Sequence, residues 1–133
     1  MDSNVLIYLL ETNGPLAEAA ARIVDAIEAG KVEAVLSAIG LVEILAGPAG
    51  AGDATAFERT AEALRDLSVR VLGLDRSVAE DAAWMRGSLG IGLADAVHLA
   101  TARKAGATAF VTNDRRIRSI PRLEAVYLDD LAA

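Results

Sequence analysis

The chain has 133 residues, 53% of them hydrophobic and 24% charged, with 19 acids against 13 bases for a net charge of −6. This is apolar material enough for one packed core, and the length suits a single domain over residues 1–133 rather than two. With 4% aromatic residues and no cysteine, base-stacking platforms, disulfides, thiolate zinc sites and a cysteine nucleophile drop out. The acid excess also speaks against a broad basic face for nucleic acid.

Met1-Asp2-Ser3-Asn4 lacks the positive stretch that opens a secretory signal. The longest uncharged runs, Val5 to Leu10 and Val35 to Val42, fall far short of the roughly 18 residues a membrane helix needs. The expectation is a cytoplasmic protein with no membrane partner.

In chain order, an apolar segment headed by Asp2 comes first, and Asn13-Gly14-Pro15 breaks it. From Leu16 to Glu28 apolar residues recur at helical spacing, and Gly30 closes that helix. Val32 to Leu36 reads as a strand ending at Ser37. Leu41 to Ala46 reads as a short helix stopped by Gly47-Pro48. Asp53 can cap a helix to about Leu67, Val69 to Leu74 is a second strand, and Asp75 or Ser77 can cap a helix to about Leu89. After the turn Gly90-Ile91-Gly92 comes a helix from Leu93 to Ala105, then a strand from Ala109 to Thr112. A basic stretch leads to a last strand near Ala125 to Leu128. Strands alternating with helices predict an α/β fold with a mainly parallel sheet, whose sites gather at the carboxyl ends of the strands.

Four acids stand at element ends: Asp2, Glu43, Asp95 and Asp114. Glu43 sits in Ile39-Gly40-Leu41-Val42-Glu43-Ile44-Leu45 and Asp95 in Leu93-Ala94-Asp95-Ala96-Val97. A carboxylate in such apolar surroundings is costly without a partner, and a metal ion is the simplest one. The bland readings are a helix cap for Asp95 and a turn residue for Asp114.

The opening Asp2-Ser3-Asn4-Val5-Leu6-Ile7-Tyr8-Leu9-Leu10-Glu11 resembles the first motif of PIN-domain nucleases, especially the VapC-type toxins of bacterial toxin–antitoxin pairs. Leu36 to Gly47, with its central Glu43, resembles the second motif. Leu93-Ala94-Asp95-Ala96-Val97-His98-Leu99-Ala100-Thr101-Ala102 resembles the third, and Phe110-Val111-Thr112-Asn113-Asp114 the fourth. The four occur in the family's order across nearly the whole chain. The resemblance implies a three-layer α/β/α sandwich around a parallel sheet. It also implies acids that bind one or two Mg²⁺ or Mn²⁺ ions and hydrolyse RNA, an inhibitory antitoxin partner, and a homodimer.

Hard divalent ions held by carboxylates can activate water, neutralise a phosphoryl oxygen and stabilise the leaving oxygen without a side-chain nucleophile. Two carboxylates about 5 Å apart repel by about 3 kcal/mol at an effective dielectric of 20, so four ionised acids together call for cations. Asp2, Glu43, Asp95 and Asp114 are therefore the candidate catalytic and metal-binding residues. Ser3, Asn4, Ser37, Thr112 and Asn113 are candidates for orienting them, with Asn4 and Thr112 equally structural and Ser37 more often only a strand-to-helix turn residue. Arg115 and Arg116, with Arg118 and Arg122, form the densest basic patch and are candidates for RNA phosphates, or a solvated loop or dock for an acidic partner. His98, one helical turn after Asp95, could touch substrate, but reads first as a packing or surface residue. Trp84 and Met85 read as core or subunit interface.

PIN domains carry an apolar strand immediately before the first acid, whereas only Met1 precedes Asp2 here. The favoured expectation is a truncated first strand with the natural start upstream; the alternatives are that another segment or chain fills the slot, or that the sheet is abnormal. Two rival functions follow from other classes. One is a catalytically idle PIN-like protein-binding module, against which the retention of all four acids argues. The other is an aspartyl phosphatase, weakened because Asn4 stands where its second acid belongs.

Overall fold

Short runs of β-branched and aliphatic residues, separated by amphipathic helices, fold in the computed structural model into five parallel strands with helices on both faces. The structure describes residues 3–7, 16–67, 69–112, 118–121, 123–127 and 130, with side chains from residue 21 onward. In chain order the elements are β1 (Ser3–Ile7), α1 (Leu16–Glu28), β2 (Val32–Ser37), α2 (Ala38–Gly50), α3 (Ala54–Asp66), β3 (Arg70–Leu72), α4 (Arg76–Leu89), α5 (Leu93–Lys104), β4 (Ala109–Thr112) and β5 (Glu124–Tyr127).

The sheet order is β3-β2-β1-β4-β5, and every pairing is parallel. The chain therefore winds outward from β1 through β2 to β3, then crosses back to lay β4 and β5 on the other side. Such a reversal opens a crevice at the carboxyl edge beside the central strand, the usual place for a site in an open α/β sheet.

Side chains on a strand alternate between faces, and here the alternation sorts the layers. Val32, Ala109, Val111 and Val126 face Ile23 and Ala26 of α1. Val35 and Phe110 join the opposite cluster with Val78, Ala82 and Met85 of α4 and Ala96, Val97, Leu99 and Ala100 of α5. The three-layer α/β/α sandwich expected from the sequence is the fold observed.

Helix α5 is buried from Ala96 to Ala102 without a break. Its alanines let the backbone lie close to the sheet, and a helix enclosed on all sides shows no polar stripe. Around it the caps follow local chemistry. Asp53 accepts from Ala56 N–H and Asp75 from Val78 N–H, the bonds that orphan amide groups at a helix start require. Gly90 ends α4 with φ of +68°, a left-handed conformation that costs glycine nothing.

Two expectations are corrected. The centre of the sheet is not left short of a strand: Ser3–Ile7, which follows Asp2, fills it, with Val5 paired to both Ala34 and Ala109. An empty centre would leave the edges of β2 and β4 unpaired, and the apolar run Val5-Leu6-Ile7 supplies the missing strand. Helix α2 runs through Pro48 rather than stopping before it. A proline there forfeits only its own bond to Ile44, and the last turn is completed by Ala51 N–H to Gly47 O and Asp53 N–H to Pro48 O. Trp84 and Met85 part company, Trp84 being 74% exposed and Met85 2%, because neighbours on a helix point about 100° apart. Among the described residues no helix is long and apolar enough to cross a membrane.

Candidate active site

Strand β2 ends at Ser37, which is at once its last residue and the N-cap of α2. The Ser37 hydroxyl oxygen accepts the Gly40 amide at 2.9 Å. This cap starts α2 at the carboxyl edge of the sheet and places Glu43 one and a half turns along it. Opposite, α5 begins at Gly92, whose N-cap position carries no side-chain hydrogen bond. Asp95 is therefore not the cap; it sits within the first turn, where the helix dipole favours a negative charge.

Between the two helices stands His98, fully buried. Its Nδ1 lies 2.6 Å from Ser37 Oγ, and its Nε2 lies 3.0 Å from Glu43 Oε1. Glu43 is 31% exposed, so its carboxylate is tied to the interior at one oxygen while still reaching solvent. Burial holds the His98 imidazole below its ordinary pKa, although the nearby Glu43 and Asp95 carboxylates oppose the shift.

Gly40 makes the arrangement possible. A β-carbon there would stand 2.8 Å from Leu36 Cδ1, 3.3 Å from Ser37 Oγ and 3.4 Å from His98 Cε1. Asp95 also shares a cavity of about 350 Å³ with Ile91, Leu99, Arg118, Ser119 and Ile120. Arg118 is exposed there. Thr112, fully buried, ends β4 on the face that also carries Phe110.

Of the residues singled out by sequence, Glu43, Asp95, Ser37, Thr112 and Arg118 are thus placed around one edge of the sheet. Asp2, Asn113, Asp114, Arg115, Arg116 and Arg122 lie outside the described residues, and Ser3 and Asn4 are described in backbone only. Ser3, next in the chain to Asp2, pairs with Val32 at the amino end of β2. That is about 13 Å along the strand from the edge where β1 ends at Ile7. Among the described residues no group of three or more acidic or histidine side chains converges as a complete metal site. The donor chemistry of the two acids present, hard carboxylate oxygens with one partly solvated, fits Mg²⁺ or Mn²⁺ rather than a softer ion.

His98 is the residue that sequence reasoning undervalued. Its spacing from Asp95 was visible, but its partners Ser37 and Glu43 lie 61 and 55 residues away in the chain. A lone histidine in an apolar helix carries no local sign of such a contact.

An open parallel sheet with acids on helices at its carboxyl edge defines an α/β protein with a crevice site. The particular family is given by a match of the PIN domain model to residues 1–123, and the chain belongs to that family. Its fold is similar to that of a toxin–antitoxin complex from Klebsiella pneumoniae, with TM-score 0.64 at 22% identity, covering 92% of this chain and 95% of that one. It is also similar to DNA-bound VapBC from Salmonella typhimurium, with TM-score 0.68, 19% identity, and 96% and 99% of the two chains covered. For VapBC-1 from nontypeable Haemophilus influenzae the TM-score is 0.68, the identity 17%, and the coverage 95% and 98%. No curated protein sequence matches the chain.

Proposed function

We propose that this protein is a Mg²⁺- or Mn²⁺-dependent endoribonuclease, the VapC-type toxin of a toxin–antitoxin pair. The observation that carries the reading is that Glu43, hydrogen-bonded to His98, and Asp95, in the first turn of α5, both stand at the carboxyl edge of a PIN sheet. Membership of the PIN family and the likeness to toxin–antitoxin and VapBC structures support it.

In this reading Glu43, Asp95 and Asp114 hold one or two divalent ions, and Asp2 joins them on the strength of its motif. When bound, the metal supplies polarisation of the phosphodiester and activation of a water molecule. The chain's own residues do the rest. Ser37, Thr112, Asn113 and Asn4 orient the acids through hydrogen bonds. Arg115 and Arg116, with Arg118 at the mouth of the Asp95 cavity, hold RNA phosphates; a guanidinium suits that role because its donors match phosphate oxygens in pairs. The partners are an RNA substrate, a cognate antitoxin and a second copy of the chain, and the setting is the cytoplasm. The exposed Trp84 supports a subunit contact.

The test is cleavage of a labelled RNA with Mn²⁺. It should occur with the parent protein, stop on chelation, and be lost in Glu43→Gln and Asp95→Asn. Undiminished cleavage by both variants would overturn the reading, and so would a parent whose melting temperature ignores Mg²⁺, Mn²⁺ and chelator alike.

A further inference from the structure

The proposed chemistry calls on Glu43 but not on the histidine that grips it. We propose that His98 is the positioning residue of Glu43: a relay from the Ser37 hydroxyl to Nδ1, and from Nε2–H to Oε1, holds one carboxylate oxygen and leaves the other for a divalent cation. This rests on the metal-dependent reading above and deepens it.

The direction of the relay follows from hydrogen-bond complementarity. The Ser37 hydroxyl has one proton, and its oxygen already accepts from Gly40 N–H at 2.9 Å. The proton can therefore go to His98 Nδ1, 2.6 Å away, and the relay has that nitrogen accept it. A neutral ring then carries its own proton on Nε2 and donates to Glu43 Oε1 at 3.0 Å. The opposite tautomer would set a nitrogen lone pair against a carboxylate oxygen. Among the described residues no buried side-chain nitrogen or oxygen lacks a hydrogen-bond partner.

Rigidity is the second part. His98 is fully buried within the unbroken buried run of α5, whereas Glu43 is 31% exposed and would otherwise sample several rotamers. The anchor at the far end, Ser37, is also the N-cap that starts the helix bearing Glu43. One hydroxyl thus sets both the origin of α2 and the imidazole that orients its acid. Gly40 keeps the backbone of α2 close to the ring. A hydrogen-bond partner that orients a metal-binding side chain is typically worth 10–100-fold in metal affinity, which sets the size of the effect to expect.

His98 is the chain's single histidine, so the imidazole signals of ¹⁵N-labelled protein report on it alone. At about pH 8, well above the ordinary histidine pKa, the metal-free parent should show the Nε2–H tautomer. That readout needs no variant, so it stands even if a substitution at this buried site fails to fold. Alongside it, Mn²⁺ affinity measured by calorimetry should fall about 10–100-fold in His98→Met, which has no donor. It should be largely restored in His98→Gln, whose amide can donate to Glu43. The Nδ1–H tautomer in the parent, or equal Mn²⁺ affinity in the Met and Gln variants, overturns the relay. A parent with the Nε2–H tautomer that binds no Mn²⁺ overturns the metal reading instead, and with it the cation-directed purpose of the relay.

Discussion

Helix α5 is held by two polar clusters that work by different physics. Along its middle, His98 is enclosed with Ser37 and reaches the partly exposed Glu43. At its carboxyl end, in water, Arg103 pairs with Asp81 and Lys104 with Asp75, tying the helix to α4. The outer pairs sit in solvent, where dielectric screening and side-chain entropy reduce an ion pair to roughly 0–1 kcal/mol. Their cations also complement the negative end of the helix dipole. The inner set has no water to replace a lost partner, so direction and completeness matter more than charge. An acid in the outer cluster is part of the scaffold. In the inner cluster the acid is oriented, which is what a catalytic carboxylate requires.

The sharpest way to break that comparison is to neutralise the oriented acids. Glu43→Gln and Asp95→Asn should each lower Mn²⁺-dependent RNA cleavage by about 100-fold or more, at least as much as losing a residue that merely orients a ligand. Neither should move the melting temperature by more than a few degrees, since neither acid belongs to the buried core. Asp2→Asn sharpens the reading of the site. Asp2 is among the proposed metal-binding acids, so cleavage should fall as far as in Glu43→Gln, and a loss of less than about tenfold would take it out of the site.

Next in size is packing around the inner cluster, read by a contrast within one helix. In α2, Gly40→Ala drives a methyl group toward Leu36, Ser37 and His98. It should destabilise the fold by about 1–3 kcal/mol in a urea titration, the usual cost of overpacking. Gly50→Ala meets nothing within 4 Å, and should stabilise by about 0.5–1 kcal/mol through helix propensity alone. Equal effects at the two positions would remove the close approach as an argument.

The smallest effect belongs to the outer cluster. The Lys104 ammonium, followed by the Val78 amide, lowers the Asp75 carboxyl from 3.8 to about 2. Because the folded pKa is the lower one, the unfolded chain takes up this proton first. The stability it contributes is present above about pH 4 and lost as pH falls toward 2. Asp75→Asn should slightly flatten that acid limb in urea titrations at successive pH values, and added salt should shrink the difference further.

How much of this was legible in the sequence depends on the range of the interactions. Strand β4 and helix α1 fall on the residues their patterns indicate, and Asp53 and Asp75 cap the helices they precede. Alternation, helical spacing and N-cap chemistry are complete within a few neighbours. The helix expected over Leu41–Ala46 was too short, because a proline in a last turn costs only its own bond to Ile44 and the amides that follow still close the turn. Trp84 and Met85 share one apolar stretch, and nothing local says which faces the sheet. The acids were recognisable as motifs, since each sits in a characteristic run. The strand paired at the centre of the sheet was not, because pairing depends on which segment is available to fill the gap between β2 and β4.

The sequence by itself thus determined the α/β class and the family pattern, and it nominated the acids, all through short-range periodicity and motif order. Only the tertiary structure decided that His98 and Ser37 belong with Glu43, and that a glycine at position 40 is what lets them meet. Those contacts join residues 55 and 61 positions apart. They exist because parallel strands return the chain to the same edge of the sheet, where a buried imidazole finds both of its hydrogen-bond partners.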